Sequence, residues 1–178
     1  MEKESFALSE KHYSVVNRHR GKYAQALEHI NHYLEYFDRD STSYHFMEGH
    51  YQVGAIYHLW GNYVKSLEAY QVAVQGFERL GMSYHAASTL AGIGSIYKRQ
   101  KRWEQAESTY EKALEIFKKI DDKNGIGVVL SNLGDISVGT GAYEKAEDYY
   151  RQTLAISEEL GQDWHIADDY DDLGDLYS

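Results

Sequence analysis

The sequence contains no cysteine and no proline. The first absence removes disulfides, thiolate nucleophiles and every cysteine-based metal centre. The second is unusual, because an average proline usage of about 5% would place about nine in a chain of this length. With no ring to interrupt a backbone ladder, the composition favours unbroken helices. Long apolar runs are missing too: none reaches the ~18 residues of a membrane span, and the charged start MEKESF precedes no apolar signal core. A soluble, cytoplasmic protein is the expectation. Basic charge is also short, with 18 Lys plus Arg against 28 Asp plus Glu, a formal charge of −10. Residues 1–120 hold 15 basic and 14 acidic side chains and residues 121–178 hold 3 and 14, so the two parts carry +1 and −11. No continuous basic face is left for nucleic acid or an anionic membrane. A basic partner at the acidic end stays compatible with this polarity. What is present suffices for a core: 43% hydrophobic residues, with 17 Tyr, 5 Phe and 3 Trp in 178 positions. That excludes a charge-rich disordered chain and suggests one compact domain or a short repeat array.

An internal repeat is visible by eye. Stepping forward by 40 from the turn-like GKY at Gly21 gives GNY at Gly61, KRW at Lys101 and GAY at Gly141. Small side chains follow in phase at Ala26, Ser66, Ala106 and Ala146, then Ile30, Tyr70, Tyr110 and Tyr150, then Tyr33, Ala73, Ala113 and Thr153. Upstream, Val53-Gly54, Ile93-Gly94, Leu133-Gly134 and Leu173-Gly174 recur, followed by Tyr57, Tyr97, Ser137 and Tyr177.

Between these marks apolar and small residues recur every three or four positions, as in Ala106, Tyr110, Ala113 and Phe117. That is one face of an α-helix. Each unit therefore reads as a helix pair. Helix A is expected at 44–59, 84–99, 124–139 and 164–177, with an earlier copy near 5–19, and helix B at 24–39, 64–79, 104–119 and 144–159. Ser43, Ser83 and Asp163 stand just before helix A as candidate N-caps, and Lys123 breaks that pattern. A helical glycine costs about 1 kcal/mol relative to alanine, so one recurring in phase points to close approach of a neighbouring helix. The small residues of helix B are the reciprocal partners, and Tyr57, Tyr70, Tyr97 and Tyr110 are expected to pack beside them. One pair cannot bury such a face alone, but stacked copies can.

Val53-Gly54 with Tyr57, Ser66 with Tyr70, and Ala73 resemble the tetratricopeptide repeat pattern, as do Ile93-Gly94 with Tyr97, Ala106 with Tyr110, and Ala113. The resemblance covers essentially the whole chain. Two features depart from it. Glu78, Lys118 and Glu158 stand where the family usually has proline after helix B, and the period is 40 residues rather than about 34. The longer unit is similar to the arrays of bacterial peptide-sensing Rap-type regulators, kinesin light chains and cell-polarity adaptors. The resemblance implies an all-α, right-handed superhelical solenoid of antiparallel helix pairs spanning 1–178, with repeats at about 1–40, 41–80, 81–120 and 121–160 and a terminal helix A at 161–178.

In such arrays helix A lines the concave surface, so the resemblance implies a groove built from its non-core positions. These are Lys11, Val15, Arg18 and His19; Tyr51, Ala55, His58 and Leu59; Ala91, Ser95, Lys98 and Arg99; and Ser131, Asn132 and Asp135. Trp60 is the sharpest local anomaly, since its equivalents are Arg20, Gln100 and Thr140. Leu59 and Trp60 together form either an exposed partner anchor or a packing contact with the next helix turn, the second being preferred.

Nine histidines raise a metal hypothesis. His29 and His32 are about one helical turn apart, but no H-E-x-x-H or comparable set appears, so scattered surface imidazoles and no metal site are expected. On a helix, Asp168, Asp171, Asp172 and Asp175 share one side, opposite Tyr170, Leu173 and Tyr177. They form a solvated outer face or, alternatively, a landing site for a basic segment. Gly92-Ile93-Gly94 and Gly125-Ile126-Gly127 follow no strand and complete no nucleotide loop. No arrangement of nucleophile, base and orienting acid appears either, so neither catalytic residues nor a cofactor is expected.

The expected function is a scaffold or adaptor that binds a peptide or protein segment in the groove. One alternative is a peptide-sensing regulatory module of a larger bacterial signalling protein. Another is structural self-association through the last helix, because Leu173, Gly174 and Tyr177 keep the interior pattern although no helix B follows before Ser178. The same observation fits a fragment of a longer array. The carboxylate clamp of chaperone-binding arrays is not expected, since its basic and asparagine set does not appear across the groove positions.

Overall fold

The computed structural model describes residues 2–37, 42–161 and 174. Among them the chain forms eight α-helices and no strand: α1 (Glu2–His19), α2 (Tyr23–Phe37), α3 (Tyr44–Trp60), α4 (Tyr63–Arg79), α5 (Ser83–Arg99), α6 (Trp103–Lys119), α7 (Lys123–Gly139) and α8 (Tyr143–Leu160). Odd-numbered helices are the A members of each pair and even-numbered helices the B members. The boundaries follow the 40-residue pattern to within one to three residues. Ser43 caps α3 by accepting the Phe46 amide at 3.2 Å. Ser83 instead is the first helical residue of α5, so it does not repeat that role. The expected helix at 164–177, with Asp163 as its cap, falls outside the described residues apart from Gly174. No described helix is long and apolar enough to cross a membrane.

The chain divides into two compact units, Met1–Gly92 and Ile93–Ser178, with the division inside α5. In the first, Ala26, Ile30 and Tyr33 of α2 are fully buried with Ala7 of α1 and Ile56 of α3. In the second, the buried residues include Ala106, Tyr110 and Phe117 of α6, Leu130, Leu133 and Ile136 of α7, and Ala146 and Tyr150 of α8. The small residues predicted for helix B, Ala26, Ser66, Ala106 and Ala146, are all sealed from solvent.

The recurring glycine and tyrosine form one device. A Cβ on Gly54 would lie 2.5 Å from Tyr70, on Gly94 3.0 Å from Tyr110, and on Gly134 2.4 Å from Tyr150. Each A helix thus leaves a notch that a tyrosine ring of its own B helix fills. The first copy uses another solution: Ser14 occupies the glycine register and Ile30 the tyrosine register, both fully buried. The Ser14 hydroxyl donates to the Ala26 carbonyl at 2.8 Å. Where the notch is partly filled by Ser14, the side chain entering it is smaller.

The turns have half the sequence period. Left-handed backbone occurs at Gly21, Gly61, Gly81, Lys101, Asp121, Gly141 and Gly161, that is, every twenty residues except at position 41, which is not described. The residue after the left-handed one donates to a carbonyl five residues back, as in Asn62 to Tyr57 (2.9 Å), Met82 to Phe77 (2.9 Å) and Arg102 to Tyr97 (3.0 Å). This is the six-to-one closure that satisfies the last carbonyls of a helix. Both the A-to-B and B-to-A connections use it. The missing prolines fit the same geometry, because Glu78, Lys118 and Glu158 lie inside the last turns of α4, α6 and α8. A ring there would clash with the preceding turn and remove an amide donor.

Lys101 and Asp121 take φ of 57° and 54°, a conformation that costs a non-glycine residue about 1–2 kcal/mol. Lys101→Gly relieves that strain but loosens the unfolded chain, so a net gain of about 0.5–1 kcal/mol is expected. Thermal denaturation followed by circular dichroism should show a higher midpoint; an unchanged or lower one would contradict the strain reading.

Candidate partner-binding surfaces

In the first unit α1 and α3 place four polar side chains in a row. Lys11 Nζ lies 3.9 Å from Glu48 Oε1. Gln52 donates through Nε2 to the same Glu48 oxygen at 2.8 Å and accepts from Arg18 Nη1 at 3.0 Å. Glu48 and Gln52 are both buried. Burying such groups is costly unless they are mutually satisfied, and the row does this for Glu48 and Gln52. It does not do so for Arg18. Its Nε is sealed from solvent with no hydrogen-bond partner, and no carboxylate among the described residues pairs with its guanidinium. Tyr51 stands on the same stretch of α3, with its ring 5.8 Å from that of Tyr70. Burial raises the Tyr51 phenol pKa, the Arg18 charge opposes that rise and Glu48 adds to it.

Lys11, Arg18 and Tyr51 are therefore brought together, and Glu48 and Gln52 join them. Sequence reading missed the last two. Their register equivalents (Leu8, Ser88 and Val128; His12, Gly92 and Asn132) have no common chemistry, so nothing in the periodicity marked them.

The second unit repeats part of this arrangement. Lys98 is two repeats on from Arg18, and Asn132 two repeats on from Gln52. Lys98 Nζ donates to Asn132 Oδ1 at 2.7 Å, as Arg18 donates to Gln52. Here the cation is neutralised, since Lys98 also pairs with Asp135 at 2.5 Å. The register of Asp135 in the first unit holds Ala55. Tyr110 donates its hydroxyl to Asn132 Oδ1 and Tyr150 to Asp135 Oδ1, both at 3.0 Å. Two buried B-helix tyrosines thereby hold Asn132 and Asp135 of α7, and Arg99 of α5 is exposed.

Leu59 and Trp60, 54% and 50% exposed, end α3. The Trp60 ring stacks on Tyr57 (centroids 6.3 Å apart, 7° between planes) and leans on Tyr23 at 6.1 Å. Both readings of Trp60 thus have a physical basis: one face packs within the unit while half the side chain meets solvent. It lines a cleft of about 740 Å³ between α2 and α4, with Leu27, Asn31, Tyr57 and Lys65, and also a smaller one of about 320 Å³ with Lys22 and Tyr23. The Lys65 ammonium lies 5.3 Å from the Tyr57 ring centre. Tyr57 and Tyr97 are only half-buried, unlike the fully packed Tyr70 and Tyr110. His58, near the same end of α3, is 6.2 Å from Tyr63, ring to ring. Asp168, Asp171, Asp172 and Asp175 lie outside the described residues.

One cluster forms where no site was expected. Glu10 of α1 accepts from Nδ1 of both His29 and His32 on α2, at 3.0 and 2.8 Å. Burial pushes the Glu10 carboxyl up, but the two imidazole hydrogen bonds outweigh it and hold the group below its ordinary pKa. The same bond raises the His32 pKa.

No curated protein matches the chain by sequence. Similar folds are found among solved structures. Aspartyl phosphate phosphatase F from Bacillus subtilis superposes with a TM-score of 0.89 at 14% identity, over 96% of this chain and 45% of that one. A signal-transduction ATPase from Pyrococcus horikoshii with a tetratricopeptide repeat sensor gives 0.85 at 22% identity, over 96% and 26%. A Rap protein complexed with Competence and Sporulation Factor gives 0.83 at 16%, over 95% and 47%. The chain spans less than half the length of each of these proteins. The tetratricopeptide repeat family model matches residues 46–119 and 85–159, more than half of the 178 residues. With the helix pairs and their in-phase notches, that match establishes that the chain belongs to the tetratricopeptide repeat family.

Proposed function

We propose that this repeat module is a non-catalytic scaffold that binds a peptide or protein segment on the surface of its A helices, in each unit through the residues named above. The observation that carries the reading is Arg18. Its guanidinium donates to the neutral Gln52 amide and has no paired carboxylate among the described residues, and the side chain is only half-buried, so its remaining terminal N–H groups can donate to an acceptor on a ligand. A peptide carbonyl or carboxylate beside Gln52 and Tyr51 would supply that acceptor. Lys98, Arg99, Asn132 and Asp135 are the corresponding set of the second unit, and Leu59 and Trp60 an aromatic anchor of the first. A peptide-sensing regulatory role is the second reading, supported by the structural likeness to a Rap protein complexed with Competence and Sporulation Factor.

The test is selection from a random peptide display library with the full chain, followed by affinity measurement on the selected peptides. Arg18→Ala and Trp60→Ala are each expected to weaken binding about tenfold or more, as loss of a charged hydrogen bond or an aromatic anchor does. Lys119→Ala, which removes only an exposed i,i+4 pair with Glu115, should leave affinity unchanged. Peptides that bind all three variants as well as the parent would overturn the assignment of these surfaces.

A further inference from the structure

The cluster of Glu10, His29 and His32 is carried by two helices and belongs to the first repeat alone. The register of Glu10 holds His50, Leu90 and Leu130 in the other copies, and Leu130 is buried. The registers of His29 and His32 hold Ala69, Thr109 and Tyr149, and Val72, Lys112 and Gln152. All three polar residues therefore replace what the repeat elsewhere fills with unrelated side chains, and they do so together. A carboxylate with only 8% of its side chain exposed, in a register that takes leucine twice, is costly to bury unless something neutralises it.

Both imidazoles turn the same atom, Nδ1, towards the same carboxylate oxygen, and the three ligand atoms lie within 4.8 Å of one another. A tetrahedral ion with bonds of ~2.0–2.1 Å to nitrogen and oxygen holds its ligand atoms about 3.3 Å apart. The present separations of 3.0 and 2.8 Å from Glu10 Oε2 need to widen by a few tenths of an ångström, and the two imidazole ligand atoms, within 4.8 Å of each other, need to close by at most about 1.5 Å. With the metal bound, each neutral ring carries its proton on Nε2, and the Glu10 negative charge offsets half that of a divalent cation. His29 and His32 side chains are 29% and 46% exposed, so a fourth position on the imidazole side of the cluster is accessible to solvent. Two imidazoles and one carboxylate with an accessible fourth position suit zinc better than the oxygen-seeking magnesium or calcium.

We propose that Glu10, His29 and His32 form a zinc site that clips α1 to α2, with water as the fourth ligand. This departs from the scattered imidazoles expected from the sequence, and it does not depend on the peptide-binding reading. The residues concerned are not those of the A-helix row or the Trp60 cleft.

The test is calorimetric titration of the full chain with zinc chloride, after treatment with a chelator, with magnesium chloride as a comparison. One zinc per chain is expected at this site, with a Kd of about 1 µM or tighter, and no comparable magnesium binding. His29→Ala and His32→Ala should each weaken zinc at least about tenfold, since even outer-shell partners of metal ligands cost that much. His12→Ala, which removes an exposed imidazole outside the cluster, should not. Saturating zinc should raise the melting temperature of the parent by about 4 °C or more, and that of the His29→Ala/His32→Ala double variant far less. His32 is half exposed, so its variant is expected to fold, and circular dichroism checks this. Zinc that binds parent and double variant equally, or does not bind the parent, would overturn the proposal.

Discussion

Tyr110→Ala is expected to destabilise the second unit by about 3–5 kcal/mol, the range for removing a large aromatic from a packed core. The ring is 1% exposed and lies against the notch at Gly94, and its hydroxyl donates to Asn132. Truncation opens a cavity that Gly94, having no side chain, does nothing to fill. Tyr110→Phe separates the two contributions. It keeps the packing and removes one hydrogen bond to a part-buried amide oxygen that Lys98 still satisfies, so about 1 kcal/mol is expected. Urea denaturation followed by circular dichroism gives both numbers. Equal losses for the two variants would mean that the hydroxyl, and not the ring, holds the notch.

The second large effect concerns the alternative solution found in the first repeat. Gly134→Ser puts a Cβ 2.4 Å from the Tyr150 ring and should cost about 1–3 kcal/mol through overpacking. Tyr150→Ile alone should also cost, by leaving the notch underfilled. Together the two changes copy Ser14 and Ile30 onto a register where Ala146 already matches Ala26. The new hydroxyl then has the Ala146 carbonyl to donate to, as Ser14 has that of Ala26. The pair should therefore cost at least about 1 kcal/mol less than the sum of the singles. Strict additivity would show that Ser14 and Ile30 are unrelated departures from the pattern. The cycle also reports on Asp135, which loses the Tyr150 hydroxyl in either variant carrying isoleucine.

The helix pairs were legible in the sequence because their packing device repeats. Glycine at 54, 94 and 134 with tyrosine at 70, 110 and 150 is a spacing that any reader can step through. The twenty-residue rhythm of the turns was harder to see, since Lys101 and Asp121 hold a glycine conformation without being glycine. The candidate surfaces were legible only in part. Register arithmetic finds positions on helix A, and Lys11, Arg18, Tyr51, Lys98, Asn132 and Asp135 all came from it. It says nothing of which position on the next A helix meets them, and so it left out Glu48 and Gln52. It also could not join Glu10 to His29 and His32, because that contact crosses from an A helix to a B helix and occurs in one copy only. Trp60 stood out as an anomaly, but its side chain is split between Tyr57 and solvent, a division that no sequence pattern encodes.

The shared geometry of the turns bears on how such a chain is lengthened or shortened. Connections of identical backbone shape give no instruction about whether an A or a B helix comes next. That instruction lies in the helix faces, where a notch marks one kind and a small residue four positions before an aromatic marks the other. Turn segments should therefore be interchangeable, so that the three residues at Gly61 and those at Gly81 can trade places without disturbing the order of the helices. A deletion of twenty residues, by contrast, would keep every turn intact and yet bring two faces of the same kind together. Forty is thus the smallest length by which the chain can grow or shrink and still find a partner for every notch.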